Sequence, residues 1–283
     1  MKNNLCYIVI ANYNSYNETI NCIDSILKSK YMLYKIIIVD DCSIDNSYDL
    51  LTKKYSDTSI KILRTSKNVG YGATNNIGLR YALDQDDCEY LWILNNDIHI
   101  YSNTLKKLIE ADCKTDELTI WGNKVLNEDG TIQSLGAILN SKYMTTKHNY
   151  QNSIDKNYNF HIERIDYIHG CSIFFSKDII KINGFLSEDF FLFYEDVDFS
   201  LRALNNNISL KILQESVVMH KQGVTIKKFK LEYLSLLSRI KFCKIHYPDT
   251  IRFVYLGIFY EFIKNIFLFR FSRNYKIVKG MVK

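Results

Sequence analysis

The 283-residue sequence has a single proline, Pro248, and no Cys-x-x-Cys pair. The proline shortage comes with an abundance of Ile, Asn, Lys and Tyr, reads as codon bias and carries little structural meaning. The cysteine pattern carries more. Seven cysteines (Cys6, Cys22, Cys42, Cys88, Cys113, Cys171 and Cys243) are odd in number and scattered. That argues against a disulfide framework or a zinc site and for a reducing cytosol. No uninterrupted apolar stretch reaches the ~18–20 residues that a membrane-crossing helix needs. The apolar run Leu5–Ala11 is too short for a secretory leader and passes at once into "NYNSYN". Internal repeats and low-complexity segments are missing as well.

What is present is an ordinary folded composition, 47% hydrophobic and 24% charged, unlike that of a disordered chain. The length suits one large domain, or one domain with an appendage. Charge is unevenly divided. Residues 221–283 hold 14 Lys or Arg against 3 Asp or Glu, a net of +11, so with +5 overall residues 1–220 sum to −6. A mildly acidic body repels nucleic acid, and a basic tail can meet an anionic surface.

The first hundred residues alternate strand and helix signals. "LCYIVI" (5–10), "YKIIIV" (34–39), "IKIL" (60–63) and "EYLWIL" (89–94) are short apolar runs suited to strands covered on both faces. Helical spacing fills the gaps over 17–28, 45–55 and 73–84. This alternation implies right-handed crossovers and a mostly parallel α/β sheet, in which ligands bind beyond the strands' carboxyl ends. Polar residues collect at those ends, in "ANYNSYN" (11–17), "DDCSIDNS" (40–47) and "NNDIH" (95–99). One polar strand end is a turn; three on one sheet edge make a site. Further on, a turn is expected at Asp129-Gly130, an irregular excursion over 140–166, a strand over 168–176 and a short helix closed by Gly184.

In that order, "IVIANYN", "IIIVDDCSIDNS", "NVGYGATNNIG", "LWILNND" and "GFLSEDFFLFYEDVDFSLR" resemble a family-2 glycosyltransferase with the GT-A fold, over roughly residues 5–225. The similarity is to the bacterial rhamnosyltransferase-like branch of polysaccharide and O-antigen assembly. It implies an α/β, Rossmann-like catalytic domain (1–225) followed by a basic, aromatic helical extension (226–283). It also implies inverting transfer of a sugar from a nucleotide diphosphate to a hydroxyl of a glycan acceptor. dTDP-rhamnose is the first donor expected; a UDP-hexose or UDP-N-acetylhexosamine is the alternative. The acceptor implied is undecaprenyl-linked, at the cytoplasmic face of the membrane.

The residues sort into roles under that resemblance. Asp40, with Ala11, Asn12 and Tyr13, lines a nucleotide pocket; Asp41 with Ser43 would otherwise cap the next helix. Asn68, Gly70 and Asn75 join the pocket, although Asn75 stands where a dinucleotide fingerprint has its third glycine. In "NND", the resemblance adds Asn95 and Asn96 to the nucleotide-binding residues and makes Asp97 a ligand of a divalent cation, Mg²⁺ or Mn²⁺. His220 is the second expected contact to metal or diphosphate. Acids in the first turn of a helix complement its dipole. In "YEDVD", however, the resemblance places the base that takes the acceptor's proton, assigned to Asp196 with Glu195 second. Asp198 and Arg202 are spaced for an i,i+4 pair.

Two rival classes share the sheet. A nicotinamide enzyme would need its glycine fingerprint after the first strand; a non-catalytic sugar-binding protein would have no need of Asp97, Asp196 and His220 together. Last, "TIRFVYLGIFYEFIKNIFLFRF" (250–271) places Gly257, Glu261, Lys264, Asn265 and Leu268 on one side of a helix, a polar stripe beside a broad apolar face. Basic and aromatic neighbours suit a helix lying in the membrane interface; docking on the catalytic core is the alternative.

Overall fold

The computed structural model describes residues 4–156, 159–221 and 228–267. Four strands, β1 (Cys6–Asn12), β2 (Tyr34–Asp40), β3 (Lys61–Arg64) and β4 (Tyr90–Asn95), lie parallel in the order β3-β2-β1-β4. Helices α1 (Tyr16–Ile26), α2 (Ser47–Lys54) and α3 (Tyr71–Leu83) make the crossovers. The strands are apolar on both faces because both faces are covered. Ile8, Ile10, Trp92 and Leu94 pack in a cluster with Ile23, Leu51 and Leu108. Tyr7, Val9, Leu91 and Ile93 pack on the other side with Leu79, Ile179 and Phe199.

The sheet then turns mixed. The short β5 (Ile98–Ile100) and helix α4 (Thr104–Asp112) precede β6 (Thr119–Leu126), which folds back through β7 (Ile132–Ser134). The expected turn lies between them, with Gly130 at φ +80°. β8 (Ala137–Asn140) and β9 (Thr145–His148) pair in a small separate sheet, so the excursion over 140–166 carries a hairpin. β10 (Ser172–Ser176) runs antiparallel to β4, and α5 (Asp178–Asn183) ends at Gly184 as expected. Helix α6 (Glu195–Asn205) and the long β11 (Ser209–His220) follow. β11 pairs parallel with β6 and antiparallel with β5, with His220 opposite Ile98. That register carries the end of a distant strand to the residues just after β4.

Helix α7 (Lys228–His246), a short 3₁₀ turn at Pro248–Thr250 and helix α8 (Ile251–Phe267) complete the described chain. The two helices dock. Phe242, Cys243, Val254 and Ile258 form one apolar cluster with Ala137, Met144, Tyr167, Phe190 and Tyr194. His246 Nε2 meets Asp198 Oδ1 at 2.7 Å, while Asp198 also makes the expected pair with Arg202 at 2.8 Å. Part of the expected polar stripe is turned inward, while Lys264 is exposed. Gly257 lies against Arg239 and Tyr143, Glu261 pairs with Arg239 at 3.1 Å, and Asn265 is buried. The outward face is apolar: Leu256, Phe259, Tyr260 and Phe267 are 59, 60, 69 and 77% exposed. Leu268, the basic residues beyond it and the division expected at 225/226 lie outside the described residues. None of the described helices is long and apolar enough to cross a membrane.

Because Ile258 is fully buried in this cluster, Ile258→Ala should cost about 2–5 kcal/mol of stability. Denaturant unfolding of the full chain measures it; a loss below about 1 kcal/mol would mean that α8 does not pack as described.

Candidate active site

The ends of β1, β2 and β4 are tied together by side chains. Asp40 is fully buried, and its carboxylate is taken up on all sides. Asn12 Nδ2 (2.8 Å) and the Ser43 hydroxyl donate to Oδ2, while the Ser43 amide donates to Oδ1 at 2.9 Å. Arg64 Nε lies 3.5 Å from Oδ1. Asn12 Oδ1 in turn accepts from Thr19, whose hydroxyl accepts from Asn96 Nδ2 at 3.0 Å. Asp40, Asn12 and Asn96 therefore belong to one network, with the partly exposed Ala11 and Tyr13 beside it.

Asp41 does not cap α2. Its carboxylate accepts the amides of Val69 and Gly70, at 2.8 and 3.0 Å, and so pins the loop that carries Asn68. Gly70 has φ +91°, and a Cβ there would stand 2.3 Å from the Phe191 carbonyl oxygen. Gly72 is similarly close to the Ser187 carbonyl. The close approach that this glycine pair permits is made by the chain's own 186–191 segment. Asn75, fully buried behind it, donates to the Tyr71 carbonyl at 3.0 Å, and its Oδ1 has no partner. Gly70→Ala combines a positive φ with a backbone clash. It should cost about 2 kcal/mol or more and lower donor affinity; wild-type stability in a thermal melt would contradict that packing.

The acidic turn is reached through a left-handed kink. Phe193 and Tyr194 have φ +70° and +72°, a conformation that costs non-glycine residues about 1–3 kcal/mol each. It is held by the Tyr194 hydroxyl, which donates to the Met144 carbonyl, and by the Asp198 amide bonding back to Tyr194 at 2.8 Å. The kink swings α6 so that Asp196 is partly exposed while Glu195 is only 5% exposed. Asp196 accepts the amides of Gly170 (2.8 Å) and Val197 (2.9 Å). Burial raises its pKa to about 6 against the opposing pull of those amides. Glu195 is pushed well above the carboxylate range, first by burial and then by Asp196, so it is held as the neutral acid.

Tyr71, between the two glycines, joins this turn to the strand ends. Its hydroxyl is 2.7 Å from both Asn95 Oδ1 and the Gly170 carbonyl. Burial, then Glu195, Cys171, Asp196 and Asp97, keep the phenol protonated. Asp97 and Asp196 thus both bear on one buried hydroxyl.

On the far side of Asp97, His220 Nε2 lies 3.1 Å from Asp97 Oδ1. Its other nitrogen, Nδ1, is 2.6 Å from Gln133 Oε1. The Gln133 amide is oriented by its own bond from Nε2 to Asn127 Oδ1 at 3.0 Å. The network therefore places a proton on Nδ1, with Nε2 at ion-pair distance from a carboxylate oxygen. A nitrogen and a carboxylate oxygen at that distance share a proton or a cation. A carboxylate and an imidazole backed by an amide fit a divalent metal. His169 and Cys171 stand beside them: donor atoms of His169, Cys171 and His220 lie within 4.8 Å of one another. His148 extends the row, with ring centroids 4.9 Å from His169, which is 5.7 Å from His220.

The chain matches the family profile of glycosyl transferase family 2 over residues 7–182, and it belongs to that family. Its sheet and helices are those of the GT-A glycosyltransferases. It superposes on GalNAc-T7, crystallised with UDP, GalNAc and Mn²⁺, with TM-score 0.69 at 14% identity, covering 89% of this chain and 49% of that one. For S. aureus TarS 1–349 the TM-score is 0.57 at 18% identity, over 83% and 65% of the two chains. Among relatives, it is 26% identical to the low-salt glycan biosynthesis hexosyltransferase Agl10 of Haloferax volcanii, over 80% of this chain and 70% of that protein. It is 24% identical to the dTDP-rhamnosyl transferase RfbF of Shigella flexneri, over 78% and 70%.

Proposed function

We propose that the protein is a cation-dependent inverting glycosyltransferase that extends a cell-surface or lipid-linked glycan. The observation that carries this is His220 Nε2 standing 3.1 Å from Asp97 Oδ1, on the same site as the partly exposed, raised-pKa Asp196. Ala11, Tyr13, Asn68, Asn95 and Asn96 would line the nucleotide side of the pocket, with the buried Asn12, Asp40, Gly70 and Asn75 holding it from behind. Asp97 and His220 would hold Mg²⁺ or Mn²⁺, which when bound offsets charge on the diphosphate. Asp196 takes the proton of the acceptor hydroxyl. The acceptor oxygen bonds to the anomeric carbon from the face opposite the diphosphate, and the carbon–oxygen bond to phosphate breaks with its electron pair. Glu195, neutral and buried, orients the acceptor from behind. The relation to RfbF favours dTDP-rhamnose as donor. UDP sugars are the alternative, because the TarS structure has been solved with UDP-GlcNAc. A non-catalytic binding protein would need neither the base nor the Asp97–His220 pair.

A thermal-shift screen of dTDP- and UDP-sugars with Mn²⁺ tests the reading. Stabilisation by one nucleotide class, abolished by EDTA, is expected; stabilisation by none of them would overturn it.

The outward face of α8 completes the proposal. Exposed Leu256, Phe259, Tyr260 and Phe267, with the +11 charge of residues 221–283, suit docking in an anionic membrane interface. Each surface-near Lys or Arg adds up to about 1 kcal/mol. Because Val254 and Ile258 are core residues, deleting α8 would confuse folding with membrane binding. Leu256→Ser with Phe259→Ser leaves the docked side intact and should lower co-sedimentation with phosphatidylglycerol vesicles at least tenfold. Undiminished binding by that variant would reject the interface role.

A further inference from the structure

The Tyr71 phenol stands between the nucleotide side of the pocket and the acidic turn, with one proton for two neighbours. We propose that Tyr71 is a positioning residue: it holds the Gly170 backbone against Asp196, and the Asn95 side chain is turned so that Nδ2 donates to the phenol oxygen. The inference rests on the reading of Asp196 as the base, and it adds what keeps that base in place.

The hydroxyl lies 2.7 Å from Asn95 Oδ1 and 2.7 Å from the Gly170 carbonyl oxygen. A phenol donates once and accepts as well, so it cannot serve two acceptors. The carbonyl has no proton to offer. The side-chain amide does, because a half-turn exchanges its oxygen and nitrogen, and the surrounding hydrogen bonds decide between the two placements. With Nδ2 facing the phenol, the bonds run in one direction, from Asn95 to Tyr71 to Gly170.

Gly170 in turn sets the base. Its amide donates to Asp196 Oδ2 at 2.8 Å, and a Cβ there would stand 3.0 Å from that oxygen and 3.2 Å from the Asp196 Cβ. The carboxylate therefore lies directly on the glycine backbone, where a side chain would crowd it. The turn through 169–171 is tied at three further points. Tyr71 takes the Gly170 carbonyl, the Cys171 amide donates to His169 Nδ1 at 3.2 Å, and the Asn95 amide donates to the Cys171 carbonyl at 2.9 Å. Tyr71 alone of these comes from α3. Its own backbone is fixed, the amide donating to the Phe191 carbonyl at 2.9 Å and the carbonyl accepting from Asn75 at 3.0 Å. A general base must sit within hydrogen-bond reach of its proton, and a misplacement of about an ångström can cost about 10²-fold in rate.

The Gly170 amide also pulls the Asp196 pKa down against burial. Without the phenol the Gly170 carbonyl loses its donor, the amide slackens, and burial is less opposed. The titratable groups facing Asp196 are Tyr71 on α3, Tyr167 and Cys171 before β10, and Tyr194 and Glu195 where α6 begins. Burial foremost keeps each of them protonated and neutral, so none adds a charge that would mask the change.

Carboxyl-labelled aspartate tests this by carbon NMR on the full-length chain without ligand, the Asp196 resonance being assigned by its loss in Asp196→Asn. Tyr71→Phe should raise the Asp196 pKa by about 0.5 or more. It should also lower kcat about tenfold or more and move the acid limb of kcat/KM upward, with affinity for UDP or dTDP in Mn²⁺ held within about threefold. Asn95→Ala keeps the bond from the phenol to Gly170, so it should weaken nucleotide binding and leave the Asp196 titration in place. In the wild type itself, the Asn95 side-chain amide protons should show a strong nuclear Overhauser contact with the Tyr71 ring. Absence of that contact would overturn the inference without any variant. So would an unmoved Asp196 pKa in Tyr71→Phe, or an equal rise in Asn95→Ala, which would mean that the phenol acts through Asn95. Rates separate this from the reading beneath it. An inactive Asp196→Asn beside an unmoved titration in Tyr71→Phe removes the positioning role alone, whereas a fully active Asp196→Asn removes the base itself and the role with it.

Discussion

Asp196→Asn should lower turnover by about 10²–10⁴-fold, the usual cost of losing a general base, while the protein folds and binds nucleotide as before. An amide cannot take the acceptor's proton. The same substitution should make the protein more stable above pH 6. Burial raises the Asp196 pKa to about 6, so ionising it in the folded state costs more than in the unfolded chain. The wild type loses that stability as pH rises from about 4 through 6, and asparagine loses none. The gain at pH 7–8 should be about 1–3 kcal/mol. It should fall towards the low end, since one of the Gly170 and Val197 amides loses its acceptor. Below pH 4 the gain should vanish. For wild-type enzyme, kcat/KM should fall as pH drops through about 6, because only the carboxylate accepts a proton. Denaturant unfolding across pH, beside a rate profile, checks both limbs. A variant of wild-type activity would show that Asp196 is not the base.

Chelation is the second large effect. EDTA should reduce transfer to background, and Mn²⁺ or Mg²⁺ should restore it. Asp97 is the sole carboxylate of "NND", and charge on a departing diphosphate needs several kcal/mol of compensation, which corresponds to about 10²–10³-fold or more in rate. His220→Ala should raise the cation concentration needed for half-maximal rate. Gln133→Leu should do the same more mildly, since it removes only the acceptor that places the imidazole proton on Nδ1. Unaltered metal dependence in both would remove His220 from the site.

Much of this architecture was legible in the chain, because the strands are covered on both faces and so read as unbroken apolar runs. The three polar strand ends were legible for a related reason: buried strands that stop in Asn and Asp on one edge leave few bland explanations. What escaped depends on contacts between distant residues. "IHGCS" reads as a strand start; only the β10 and β11 positions bring His169 and Cys171 to His220. The absence of Cys-x-x-Cys speaks to local knuckles and is silent about such a cluster. Asp41 looked like a helix cap and instead pins Val69 and Gly70, because the loop after β3 returns over β2. The left-handed pair Phe193-Tyr194 has no glycine or asparagine to announce it; tertiary contacts impose it. On α8 the polar stripe was legible, and which side docks on the core was open. A helical wheel shows a polar stripe but not that Arg239 waits beneath it.

The most direct measurement is the release of nucleoside diphosphate from dTDP-rhamnose and from UDP-sugars, with an undecaprenyl-diphosphate-linked sugar as acceptor, by wild-type and Asp196→Asn protein, with Mn²⁺ and with EDTA. The account predicts acceptor-dependent release from one nucleotide class by the wild type in Mn²⁺, and background in the other three conditions. Equal release by the wild type in Mn²⁺ and in EDTA, or by Asp196→Asn and wild type alike, would contradict it.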